Sequence, residues 1–186
     1  MGHRPVTSHV LILLVAVYLS AVCNQSFFAG VLKAYAPITA HNAFALVSLV
    51  LVLVAVNAIL LGLVCIGRRG TRLVLSLVLL FAALAAYFMD SFGVVISDEM
   101  LQNVAQTNTG EALDLLNYKL LAYLVGLGAI PAFVLTRMNL TWRGWRIELL
   151  ARLKLLAALL VVMVGLVLLF GGFFASFARE HKALRS

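Results

Sequence analysis

Charge is scarce in this sequence. Only 11% of its 186 residues are Asp, Glu, Lys or Arg, where a soluble domain carries about 25%. Acidic residues are the scarcest, 7 against 14 basic ones. With 64% apolar residues and a mean hydropathy of +1.09, the chain would expose more hydrophobic surface than water tolerates. That excludes a soluble globular domain and a disordered chain. It also turns the net charge of +7 away from nucleic acid and towards the basic bias of cytoplasmic membrane loops. Cysteine is nearly absent: Cys23 and Cys65 are too few for a disulfide framework. With spans one and two running in opposite directions, they would sit near opposite faces of the membrane, too far apart to bridge. The four histidines, His3, His9, His41 and His181, are scattered and lack the spacing of a zinc site. No H-E-x-x-H, G-x-S-x-G, P-loop or dinucleotide fingerprint occurs, so no catalytic and no metal residue is assigned.

Long apolar runs are what the sequence does have. At about 20 residues per spanning helix, they predict an all-α membrane protein with five transmembrane helices. The spans fall at about 10–29, 43–66, 72–89, 119–137 and 153–174, in one transmembrane domain over 1–186. The opening Met1-Gly2-His3-Arg4-Pro5 is like the n-region of a signal peptide. Spans continue to the end of the chain, however, so the first run reads as a retained helix. Arg68, Arg69 and Arg72 end the second span abruptly, because arginine is costly in hydrocarbon. With the N-terminus inside, 9 of the 14 basic residues fall on the cytoplasmic side, and only Glu148 among the acids. The C-terminus is then outside. The span centres carry almost no ionisable residue, which argues against a transporter of charged solutes. Ala58 with Gly62, and Ala82 with Ala86, suit close helix packing.

The outer loop at 90–118, between spans three and four, is too long to be mere connection. From Met100 onward its apolar residues recur at helical spacing. Ser97 and Asp98 can cap the start, and Glu99 suits the positive end of a helix dipole. This predicts an amphipathic helix lying on the outer membrane interface. Asn103, Thr107 and Glu111 stack along one stripe at i, i+4, i+8. An amide, a hydroxyl and a carboxylate together can accept the donors of an ammonium group, as in a lipid head group. Spacing alone favours the plainer reading, the solvated polar face of an interfacial helix.

The run Tyr87-Phe88-Met89-Asp90-Ser91-Phe92-Gly93-Val94-Val95-Ile96, then Met100-Leu101-Gln102-Asn103 and Gln106-Thr107-x-x-x-Glu111, resembles the membrane domain of the lipid A phosphoethanolamine transferases. These are bacterial inner-membrane enzymes, some of which confer polymyxin resistance. Arg4-Pro5, Asn24 with Phe27-Phe28, Trp142 with Trp145, and the run Ser176-Phe177-x-Arg179-x-His181-Lys182-x-Leu184-Arg185 agree with the family. Ser97 stands where an Asp is common, and Phe92 where some members carry Tyr.

The resemblance implies a two-step transfer. A zinc-dependent periplasmic domain takes phosphoethanolamine from phosphatidylethanolamine onto a threonine, then passes it to lipid A. That domain follows the membrane domain, and the sequence stops at Ser186, where the linker would begin. Zinc is therefore expected in that missing catalytic domain, with no cofactor in this chain. Expected partners are the two lipids and that domain, not nucleic acid. Asn103, Thr107 and Glu111 match the family's head-group residues. Thr107 has no adjacent base or metal ligand and is not read as the nucleophile. The alternative reading is a stand-alone lipid-binding or regulatory membrane protein; a small transporter fits less well.

Overall fold

The computed structural model describes residues 6–34, 40–92 and 117–183. In chain order these form β1 (Val6–Thr7), α1 (Ser8–Ala21), α2 (Gln25–Ala34), α3 (Ala40–Val64) and α4 (Arg68–Phe92). Then come α5 (Tyr118–Tyr123), a π-helical turn (Leu124–Ala129), α6 (Ile130–Arg137), β2 (Leu140–Thr141) and α7 (Trp145–Ala183). Among the described residues, four helical stretches are long and apolar enough to cross a membrane: Ala43–Val64, Arg68–Ser91, Tyr118–Arg137 and Trp145–Gly172. A shorter apolar helix, Ser8–Ala21, joins them. The architecture is the helical membrane protein that the hydropathy implies. The expected interfacial helix, with Asn103, Thr107 and Glu111, lies outside the described residues.

Two elements depart from the apolar runs. The run at 10–29 is divided between α1 and α2 by a turn over Val22–Asn24. Asn24 makes the break: its Nδ2 donates to the Leu19 carbonyl at 2.8 Å, a group that continued helix would have paired. α1 is consequently about 21 Å long at ~1.5 Å per residue, short of a ~30 Å hydrocarbon core. At the other end, α7 begins at Trp145, well ahead of the apolar run at 153. Gly144, with φ +94°, takes the chain through the turn before it. Glu148 then sits in the first helical turn, where the dipole favours an acid.

The rod Tyr118–Arg137 contains its own irregularity. The π-turn ends where the Ile130 N–H reaches the Val125 carbonyl, and Pro131 follows. Proline has no N–H for the carbonyl four residues back, Leu127. The Tyr18 hydroxyl of α1 donates to that carbonyl instead, at 2.9 Å. A π-turn beside a proline is a common way for a membrane helix to absorb such a break.

Packing puts small residues inside and large ones outside. Ala16, Ala45, Ala58 and Ala83 are fully buried. Phe44, Phe81, Val161, Leu168 and Leu169 are largely exposed, as the sides of a bundle that face lipid should be. Small side chains let membrane helices approach closely, and dispersion between close backbones holds them. α1 packs against α3 and α4, α3 against α7, and α4 against the 118–137 rod. Cys23 and Cys65 are both free and buried.

One end of the bundle is closed by polar contacts. β1 pairs in parallel with β2, Val6 opposite Leu140 and Thr7 opposite Thr141. The Val6 N–H donates to the Asn139 carbonyl at 2.9 Å. Ser8 donates its hydroxyl to the buried Glu148 carboxylate, and His9 Nε2 lies 3.6 Å from the same group. Arg72 donates to the Met138 carbonyl at 2.6 Å. The buried Arg152 donates to the Cys65 carbonyl. These bonds tie the first helix, the α3–α4 turn and the connection into α7 together at the end that carries Arg68, Arg69 and Arg72.

Candidate functional site at one end of the bundle

The opposite end is where α4 finishes and α5 starts. Asn117 caps α5 in extended geometry, its side-chain oxygen accepting from the Leu120 N–H at 2.8 Å. The same side chain donates through Nδ2 to the Tyr87 hydroxyl at 2.8 Å. One turn on, the Tyr123 hydroxyl donates to Asp90 Oδ2 at 2.8 Å. The Tyr87 and Tyr123 rings meet edge to face, centroids 5.8 Å apart, and Phe88 stands against Tyr87 at 5.3 Å. Tyr87 is 1% exposed. Lys119 Nζ lies 6.0 Å from both tyrosine centroids.

The corner is thus an ammonium on two aromatic faces, with a carboxylate on the rim of one of the rings. Ring quadrupole and carboxylate both favour a cation there. Its side-chain set suits a primary ammonium in general, and Lys119 supplies one from within. Beside it, Asn117, Tyr118, Leu120, Leu121 and Leu124 line a cleft of about 310 Å³. Both ends of the segment 93–116 join the chain here, at Phe92 and Asn117. Asn103, Thr107 and Glu111 belong to that segment and lie outside the described residues, so their place around the corner is not assigned.

Tyr87, Asp90, Asn117, Lys119 and Tyr123 were not singled out from the sequence as a set. Tyr87 and Asp90 stood in the family-like run, but only for their identity. Their partners come from the next helix, 30 and 33 residues away. One signal was available: a lysine four residues before a tyrosine at the start of an apolar helix, which is an interfacial anchor pattern. For zinc, no three His, Cys, Asp or Glu side chains converge among the described residues.

Fold and rim together define a multi-span helical membrane protein with a polar, aromatic-walled corner at one membrane surface. The family model described as "Phosphoethanolamine transferase EptA/EptB" matches residues 52–186, and the chain belongs to that family, as its N-terminal membrane domain. It is 35% identical over 183 residues to the Escherichia coli phosphatidylethanolamine transferase Mcr-1, which covers 98% of this chain and 34% of that protein. Helicobacter pylori phosphoethanolamine transferase EptA is 33% identical over 111 residues, 58% of this chain and 21% of that protein. Among solved structures, the lipooligosaccharide phosphoethanolamine transferase A of Neisseria meningitidis superposes with a TM-score of 0.85 at 27% identity. It covers 96% of this chain and 33% of that one. The chain therefore spans about a third of the length of Mcr-1 and of the Neisseria meningitidis enzyme.

Proposed function

We propose that this chain anchors a phosphoethanolamine transferase in the bacterial inner membrane and presents a phosphatidylethanolamine head group at its outer rim, for transfer to lipid A. The observation that carries the reading is the corner at the rim, where Lys119 already rests on Tyr87 and Tyr123. In this reading Asn103, Thr107 and Glu111 supply the remaining oxygens around the ethanolamine ammonium, and Lys119 is the cation nearest the lipid phosphate. The transfer itself belongs to a zinc-dependent portion outside these residues. The N-terminus is cytoplasmic and the C-terminus periplasmic. The basic bias supports this orientation, since the α3–α4 turn with its arginines shares one end of the bundle with β1.

The test uses the complete transferase that contains this segment, expressed in a strain lacking other phosphoethanolamine transferases. Glu111→Gln and Asn103→Ala are each expected to lower modified lipid A by about tenfold, the equivalent of one charge-assisted hydrogen bond of ~1.4 kcal/mol. Mass spectrometry of lipid A reads the product, and membrane fractionation checks insertion. Wild-type modification in both variants overturns the head-group role.

A further inference from the structure

At the end of the bundle away from the tyrosine corner, α3 passes into α4 through a turn at Gly67, whose φ of +71° suits glycine. One span stops at Val64 and the next starts at Arg68, so the turn lies level with the lipid phosphates at that membrane surface. The Thr71 N–H donates to the Gly67 carbonyl at 3.0 Å. The N–H groups of Arg68, Arg69 and Gly70 come before that bond and have no acceptor within the helix. Gly67 brings no side chain to cap them, and the first turn holds no acid. It holds two exposed arginines instead, set against the positive end of the helix dipole. Among the described residues the one acid at this end is Glu148, buried and engaged by Ser8.

A second observation comes from α7. Arg152 is only 9% exposed. Its Nη1 donates to the Cys65 carbonyl, two residues before Gly67, which brings the guanidinium beneath the turn. Nε and Nη2 are buried without a partner, and among the described residues no carboxylate pairs with Arg152. Capping the end of α3 uses one nitrogen and leaves the other two idle. Those two form one edge of the planar guanidinium, the edge that grips two oxygens of an oxyanion. A buried cation with idle donors is costly, and an oxyanion at the turn relieves it. There is open space beside the first turn of α4: a Cβ on Gly70 would meet nothing within 4 Å. The approach is through lipid, since Val64, Ile66 and Leu73 around the turn are 60%, 74% and 63% exposed.

We infer that the α3–α4 turn binds a phosphate oxyanion, the phosphodiester of an anionic phospholipid. The exposed first turn of α4 meets the phosphate, and the Arg152 fork turns from beneath to close on two of its oxygens. Helix N-termini bind phosphate through their free N–H groups and dipole, and basic pockets between spans hold anionic head groups. The surrounding charge selects among lipids. Arg68 and Arg69 repel the ammonium of a zwitterionic head group, whereas a glycerol head group carries none. Free phosphate offers the same oxygens but no chain to lie along Val64, Ile66 and Leu73. The inference is independent of the head-group reading of the tyrosine corner, which lies at the other end of the bundle.

The experiment uses the complete protein that contains this segment, purified in neutral detergent and titrated with phosphatidylglycerol. Native mass spectrometry counts the bound lipid. Arg152→Gln is expected to weaken binding about tenfold. Arg143→Gln, the same loss of charge in the turn before α7, is expected to leave it unchanged. Gly70→Asp is the second variant should Arg152→Gln fail to fold. It places a carboxylate in the open space at the first turn of α4, and is expected to abolish binding. It should also raise the melting midpoint without lipid, since an acid suits a helix N-terminus. Gly70→Asn has the same shape without the charge and should still bind. Equal loss in Arg152→Gln and Arg143→Gln marks a diffuse effect of charge and overturns the site. So does binding that Gly70→Asp leaves intact. Two further arms fix the source of the phosphate. Displacement of phosphatidylglycerol by inorganic phosphate at constant ionic strength overturns the lipid as occupant. Equal binding of phosphatidylcholine with the same chains, equally weakened by Arg152→Gln, overturns the selection for an anionic head group.

Discussion

A methyl group at position 128 has no room. A Cβ there would lie 3.1 Å from Leu80 Cδ2, 3.2 Å from Ala83 Cβ and 3.3 Å from the Leu80 Cα. The last two belong to the body of α4 and cannot rotate away. Gly128→Ala should push the 118–137 rod off α4 at a cost of about 1–3 kcal/mol, seen as a lower melting midpoint in detergent. Gly126→Ala, with nothing within 4 Å, is the matched control and should leave the midpoint in place. Tyr18 is the second residue whose role is local and specific. Tyr18→Phe removes the donor to the Leu127 carbonyl, which Pro131 leaves unserved. Interhelical hydrogen bonds in membranes average about 0.6 kcal/mol and reach about 1.7, so a loss in that range is expected from the same measurement. Pro131 was visible in the sequence. Its partner was not, because a hydroxyl 109 residues away leaves no spacing to read.

At the level of elements, the apolar runs located the helices because burial in lipid demands continuous hydrophobic stretches. They misjudged where helices begin and end. Asn24 is small enough to hide within a hydrophobic run, yet its amide ends α1. Trp145 to Arg152 precede the fifth apolar run because Arg146, Glu148 and Arg152 interrupt it, yet they form the first turns of α7, since a helix can continue through charged residues once it leaves the hydrocarbon. Within those turns Glu148 does the tying. It is 4% exposed, accepts from Ser8 and faces His9. Glu148→Ala should cost about 1.5–3 kcal/mol, the range for hydrogen bonds to a charged group, and should loosen β1 along with α1. Hydrogen exchange at the Val6 amide, which donates to the Asn139 carbonyl, is expected to quicken. Glu148→Gln keeps an acceptor for Ser8 and should quicken it less. Unchanged exchange in both variants would mean that β1 is held by its strand pairing alone.

For the molecule as a whole, orientation is the property on which the proposed function depends, since a head-group site must face the compartment that holds its acceptor. Charge counting in the sequence predicts it, with 9 of 14 basic residues on the cytoplasmic side. The structure adds that Arg72, Arg152 and the β1–β2 pair gather at one end, and the Asp90–Lys119 corner at the other. That separation makes a two-position test decisive. Cys23 and Cys65 are buried in the bundle, so both can be replaced by alanine to leave a background without reactive thiols. A single cysteine is then placed at Tyr118, 89% exposed beside the corner, or at Arg143, exposed in the turn before α7. In intact cells whose outer membrane has been opened, a membrane-impermeant maleimide should label Tyr118→Cys and spare Arg143→Cys. Arg143→Cys should react only once the inner membrane is permeabilised. The reverse pattern would put the aromatic corner in the cytoplasm, away from any periplasmic acceptor, and would remove the head-group reading with it.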